Sequence, residues 1–94
     1  MYVVSYDITS DRLRAKVSKI LEGYGVRIQY SVFECRLGEK KFRELYGRLM
    51  TLMAGAEDGS IRFYFICGNC QQKICTIGQI TAKAEQTAES VIVI

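Results

Sequence analysis

An α+β fold, with helices on one face of an antiparallel sheet, is predicted for this 94-residue chain by three observations. Short β-branched and aromatic runs alternate with segments whose apolar residues recur at helical spacing. None of the apolar runs approaches the ~20 residues of a membrane span. The order of the segments is strand, helix, a long extended stretch, helix and strand. A chain this small buries only ~60–65% of its unfolded surface, so one thin-cored domain and association between copies are expected.

Tyr2 to Ile8 is mostly β-branched and aromatic, a buried strand ending at Asp7-Ile8. Thr9 or Ser10 then caps a helix, with Asp11 suited to its positive end. Leu13, Val17, Ile20 and Leu21 form its apolar stripe, Arg12, Arg14, Lys16 and Lys19 fall off it, and Gly23 and Gly25 stop it. Val26 to Leu37 is extended but longer than a usual strand, so a split near Ser31–Glu34 is predicted. On alternation, Arg27 and Phe33 share one face of that stretch.

A second helix is predicted over Glu39–Ala54, burying Phe42, Leu45, Tyr46, Leu49, Leu52 and Met53. Ile61 to Ile66 is strongly β-prone and is expected at the centre of the sheet, and a short strand is expected at Lys73–Ile77. Thr81–Ser90 reads as helical or linker-like. The terminal Val91-Ile92-Val93-Ile94 should pair with a sheet edge, its own or a partner's. With the long stretch split, the order is the βαββαβ of ferredoxin-like folds, followed by extra C-terminal strands.

Composition narrows the chemistry. There is no His, which removes imidazole bases, Ser-His and Cys-His nucleophiles and His-ligated zinc. Hydrolysis would fall to carboxylates, a metal ion, water, Lys or Arg. Thirteen basic against ten acidic residues give +3 overall. Residues 1–48 carry ten basic and six acidic side chains, net +4, and residues 49–94 carry three and four, net −1. A basic half suits a polyanion partner, although solubility alone also accounts for it. With no basic n-region before Asp7 and no spanning segment, a cytoplasmic protein that does not enter membranes is expected.

Asp7 is the sharpest candidate. A carboxylate ending an apolar strand is either satisfied in a turn or helix cap, or serves as a divalent-metal ligand facing a phosphodiester. Asp11 and Glu34 are the nearby acids, and a twofold dimer placing two Asp7 side by side would supply a second carboxylate. Arg14, Lys16 and Arg27 can line a phosphate track or be an ordinary solvated face. Tyr6 and Phe33 can stack on bases or pack in the core. Arg62-Phe63-Tyr64-Phe65 faintly resembles the stacking strand of RNA-recognition motifs, without that motif's glycines. Cys67-Gly68-Asn69-Cys70 with Cys75 and Cys35 offers in principle four thiolates for zinc, but not at a familiar ribbon spacing. A redox dithiol usually opens a helix and this pair is expected to end a strand, so a reduced turn is the plainer expectation.

Tyr6-Asp7-Ile8-Thr9-Ser10-Asp11-Arg12-Leu13-Arg14-Ala15-Lys16-Val17, Leu21-Glu22-Gly23-Tyr24-Gly25 and Arg27-Ile28-Gln29-Tyr30-Ser31-Val32-Phe33-Glu34-Cys35 together closely resemble one family. It is the small CRISPR-associated endonuclease of the adaptation module, second in the numbered Cas series. The resemblance spans nearly the whole chain, with Arg62–Cys67 as central strand and a cysteine-bearing turn after it. It implies a ferredoxin-like homodimer with Asp7 as catalytic, Mg²⁺-binding acid at the dimer interface. It also implies cleavage of single-stranded RNA or double-stranded DNA, and a place between integrase subunits in spacer acquisition. Tyr6, Arg14, Arg27 and Phe33 match family positions tied to activity, and Lys16 stands where some members have Arg, keeping the charge but not the fork. Residues 1–78 are then the ferredoxin-like domain, and 79–94 an extension whose terminal strand pairs with the partner subunit. A non-catalytic scaffold, holding duplex phosphates for the integrase, is the alternative, and a toxin-like RNA interferase a lesser one.

Overall fold

Strand β1 (Tyr2–Asp7) lies between two antiparallel neighbours and sets the register of the sheet. The computed structural model describes residues 1–78 and the backbone of Ile92–Val93. Helix α1 (Asp11–Glu22) starts at Ser10, whose hydroxyl accepts the Leu13 N–H at 3.2 Å, and ends at Gly23, whose N–H donates to Ile20 O at 3.0 Å. Its predicted stripe faces inward, with Val17 and Leu21 fully buried.

The long extended stretch splits as predicted, into β2 (Val26–Gln29) and β3 (Val32–Cys35), with a register shift between Arg27 and Gln29. Helix α2 (Glu39–Met53) buries Leu45 and Leu49 and stacks Phe42 on Tyr2 of β1, centroids 4.2 Å apart and planes 6° from parallel. Tyr46, placed on the buried side by spacing alone, is 44% exposed while its ring still touches Phe42 and Phe63. Strand β4 (Ser60–Phe65) pairs with β1 from Tyr2↔Phe65 to Asp7↔Ser60.

The sheet order is β2-β3-β1-β4 with every neighbouring pair antiparallel. Two interleaved split βαβ units give this order, which is the ferredoxin-like arrangement. One expectation is corrected: β4 is an edge strand, and β1 and β3 are the central ones. Its aromatic run is apolar for a different reason. Phe63 packs on α2 at the core face, whereas Tyr64 and Phe65 remain exposed.

Past β4, Cys67 caps a one-turn helix α3 (Gly68–Gln71), followed by β5 (Cys75–Thr76). Strand β6 (Ile92–Val93) pairs in parallel with β5, Cys75 opposite Ile92 and Thr76 opposite Val93. The expectations for Thr81–Ser90, Val91 and Ile94 lie outside the described residues.

The core lies between helices and sheet, where Val4, Val17, Leu21, Phe33, Cys35 and Leu45 are inaccessible. Gly25 opens β2 where a Cβ would stand 2.5 Å from Cys35 Sγ and 2.9 Å from Cys35 Cα, so only glycine lets the chain pass there.

Candidate functional site

Alternation along β1 divides the candidate residues between two faces. Tyr2, Val4 and Tyr6 point to the helices, while Val3, Ser5 and Asp7 point to the face that the helices leave open. Register adds neighbours on that open face. Ser60 lies opposite Asp7, Arg62 and Val32 flank Ser5, and Tyr64 and Glu34 flank Val3.

Asp7 is exposed, and among the described residues no donor or cation holds its carboxylate. The helix is capped by Ser10 instead, so Asp7 is not a satisfied cap. The two acids named beside it do not join it. Glu34 stands opposite Val3, four residues along the strand and therefore about 13 Å away. Asp11 is paired with Arg14. A different acid, Asp58, approaches the loop after Asp7, where the Thr9 hydroxyl lies 3.4 Å from both its carboxylate oxygens. No cluster of three or more His, Cys, Asp or Glu able to hold a metal occurs among the described residues.

A cleft of about 470 Å³ opens on the other side of β1, between α1 and the β2–β3 hairpin. Tyr6, Arg14 and Arg27 meet there, three of the predicted residues brought together from separate elements. Both arginines are engaged with the protein. Arg14 donates to Ile8 O at 2.8 Å and Thr9 O at 3.4 Å and also binds Asp11, which fixes the loop that follows Asp7. The Asp11 carboxylate in turn holds the Arg14 guanidinium more firmly protonated than usual. Arg27 donates to Tyr30 O at 2.5 Å and to the Ser18 hydroxyl, with Glu22 3.7 Å away.

Three site expectations need correction. Phe33 is 0% exposed, locked between β1 and β2 with the Arg27 guanidinium 5.0 Å from its ring centroid, so its ring supports the site from beneath and has no open face for a base to stack on. Tyr6 is 4% exposed: its ring is core, and its hydroxyl donates to Tyr30 O at 3.4 Å. Lys16 does not join Arg14 and Arg27, because it faces the groove between the helices beside Arg48 and Leu52. Lys19, three residues further, lines both that groove and the cleft. Two residues with a claim on the site were not placed beside the others by sequence: Arg62, noted only within the Arg62–Phe65 run and brought to the face of Asp7 by strand register, and Tyr30, an exposed ring at the hairpin turn.

The cysteines are also resolved. Cys35 is buried in the core, so the four thiols do not converge on one zinc. The CxxC does open a helix, contrary to expectation, though only a single turn. The Cys67 thiol is lowered from its usual range by the Cys70 backbone N–H and then the Cys70 thiol, while the Cys70 thiol is raised by Cys67. Burial pushes the Cys35 thiol from 9.0 up to about 11. Iodoacetamide is therefore expected to label Cys67 first and to spare Cys35 in the folded protein, as peptide mass mapping would show. Because folding holds Cys35 protonated, its contribution to stability is present below pH 9 and lost as pH rises through about 11.

The chain belongs to the CRISPR associated protein Cas2 family, whose model matches residues 1–74. It is 47% identical over 79 residues to a CRISPR-associated endoribonuclease Cas2 of Synechocystis, covering 84% of this chain and 85% of that one. Among solved structures it resembles Streptococcus pyogenes Cas2 at pH 6.5, with TM-score 0.70, 32% identity, and coverage of 82% of this chain and 98% of the other. It also resembles a chain of a partial Cas6-RT-Cas1–Cas2 complex, with TM-score 0.66, 33% identity and coverage of 73% and 80%. No helix among the described residues is long and apolar enough to cross a membrane.

Proposed function

We propose that this protein is a metal-dependent endonuclease of CRISPR adaptation, cutting single-stranded RNA or double-stranded DNA as a cytoplasmic homodimer alongside an integrase subunit. The observation that carries this reading is Asp7: a carboxylate with no partner among the described residues, at the end of a central strand, on the sheet face free of helices. The names of the Synechocystis relative and of the Cas1–Cas2 complex support it.

The donor chemistry suits Mg²⁺, a hard cation that keeps several waters and takes one or two carboxylates. Asp7 would be the ligand from each chain, with a twofold copy bringing the second. Bound there, the ion supplies a more acidic water and offsets phosphate charge. Around it the chain would supply Arg62, one rung along from Asp7 on the same face, whose guanidinium donates to the Tyr64 hydroxyl at 3.4 Å and would have to turn toward Asp7 to reach phosphate oxygens there. Arg14 acts through the loop, holding Ile8 and Thr9 and thereby the end of β1. The terminal strand of the 79–94 extension, whose Ile92–Val93 backbone pairs with β5 of its own chain, is proposed to add together with that pair to the partner's sheet, where β4 is one of the two edge strands.

A second reading, a non-catalytic scaffold, is favoured by the lack of a three-residue metal cluster among the described residues and by the likeness to a Cas1–Cas2 complex. One assay separates the two. Purified protein and Asp7→Asn are incubated with single-stranded RNA and duplex DNA, in Mg²⁺ and in chelator. Cleavage in Mg²⁺ by the native chain alone is expected. Cleavage unchanged in the variant contradicts the assignment, and no cleavage by either with intact integrase assembly gives the scaffold.

A further inference from the structure

We propose that the cleft between α1 and the β2–β3 hairpin is a binding site for one unpaired nucleotide, with Tyr30 stacking on its base and Lys19 contacting its phosphate. The inference rests on the nucleic-acid reading above but uses a different site, on the opposite side of β1 from Asp7.

Tyr30 is 72% exposed at the turn between β2 and β3, at the rim of the cleft. Its backbone is nonetheless held at several points. Tyr30 O accepts from Arg27 at 2.5 Å and from the Tyr6 hydroxyl at 3.4 Å, and the next carbonyl, Ser31 O, accepts the Tyr6 N–H at 3.1 Å. The hairpin tip is thus fixed while most of its ring surface is exposed, so a stacking partner would meet a platform that loses little entropy on binding. The Arg14 guanidinium carbon lies 5.9 Å from the ring centroid, placing positive charge beside it.

Charge in the cleft points the same way. Arg14 is neutralised by Asp11, and Arg27 lies 3.7 Å from Glu22. Lys19 has no carboxylate partner among the described residues and remains available for an anion. An exposed aromatic ring and a lysine without a carboxylate partner among the described residues line one cleft of about 470 Å³, which matches one nucleotide in chemistry and falls within the usual size of ligand pockets. A paired base has both faces covered by its neighbours in the duplex, so the site selects an unpaired one, in RNA or DNA.

The test is binding in chelator, where cleavage is prevented, of labelled RNA and DNA single strands of about ten nucleotides and of a duplex. Tyr30→Ala is expected to weaken single-strand binding roughly tenfold or more and to leave duplex binding unchanged, while Tyr30→Phe keeps the native affinity. Lys19→Gln should flatten the salt dependence of single-strand binding by about 0.7 in log–log slope. Comparing the RNA and DNA arms identifies which strand the site takes. Tyr30→Ala equal to the native chain, or weakened equally for single strand and duplex, overturns the inference and leaves the nucleic-acid reading intact. A native chain that binds no nucleic acid overturns both.

Discussion

Asp7→Asn is expected to lower Mg²⁺-supported cleavage by roughly a hundredfold or more while leaving the melting temperature nearly unchanged. Asparagine keeps the shape of aspartate and removes its charge, so the loss falls on cation binding and charge stabilisation, where single groups are commonly worth ~10²–10³ in rate. The fold should not register the change. Asp7 is exposed, Ser10 rather than Asp7 caps α1, and no described residue leans on the carboxylate. Parallel measurement of single-turnover rate and thermal unfolding checks both halves. A variant that melts normally and cuts at the native rate removes Asp7 from the chemistry.

Phe33→Ala is expected to be the most damaging substitution for stability, by about 3–5 kcal/mol. Phe33 is the largest fully buried side chain, opposite Val4 in β1 and Arg27 in β2, and lies beneath the Arg27 guanidinium. Its removal leaves a cavity at the centre of a thin core and frees Arg27 from the surface that orients it. For a chain of this size the loss corresponds to a melting temperature lower by roughly 12–40 °C. Phe33→Leu keeps most of the volume and should retain both fold and nucleic-acid binding, because the ring is fully buried. Selective loss of binding in a Phe33→Leu protein of native stability would restore the stacking role for this residue.

Local signals in the sequence were sufficient for the first helix and for the split of the long extended stretch. The Ser10 cap, the Leu13–Leu21 stripe and the over-long 26–37 stretch each pointed to the element that forms. The position of β4 was not legible, because an aromatic run looks the same in a central strand and in an edge strand with a helix on one face. Of the site, Asp7 was legible because an acid ending an apolar strand is a local anomaly. Phe33 and Tyr6 were ambiguous: a strand aromatic reveals its face only once register is known, and both turned inward. Lys16 and Lys19 are a similar case. They differ by less than one helical turn, and the orientation of α1 against the hairpin selects Lys19. Arg62 and Tyr30 depend on cross-strand register and on the hairpin turn, which no single segment encodes.

Asp7 brings to the open sheet face an exposed carboxylate with no partner among the described residues, and a twofold pair is what would make that face a metal-dependent site. Solution mass at micromolar concentration, by sedimentation equilibrium, tests this most directly. A species of about twice the 10.7 kDa chain mass is expected. A stable monomer of that single-chain mass would contradict both the paired Asp7 site and the strand exchange between subunits.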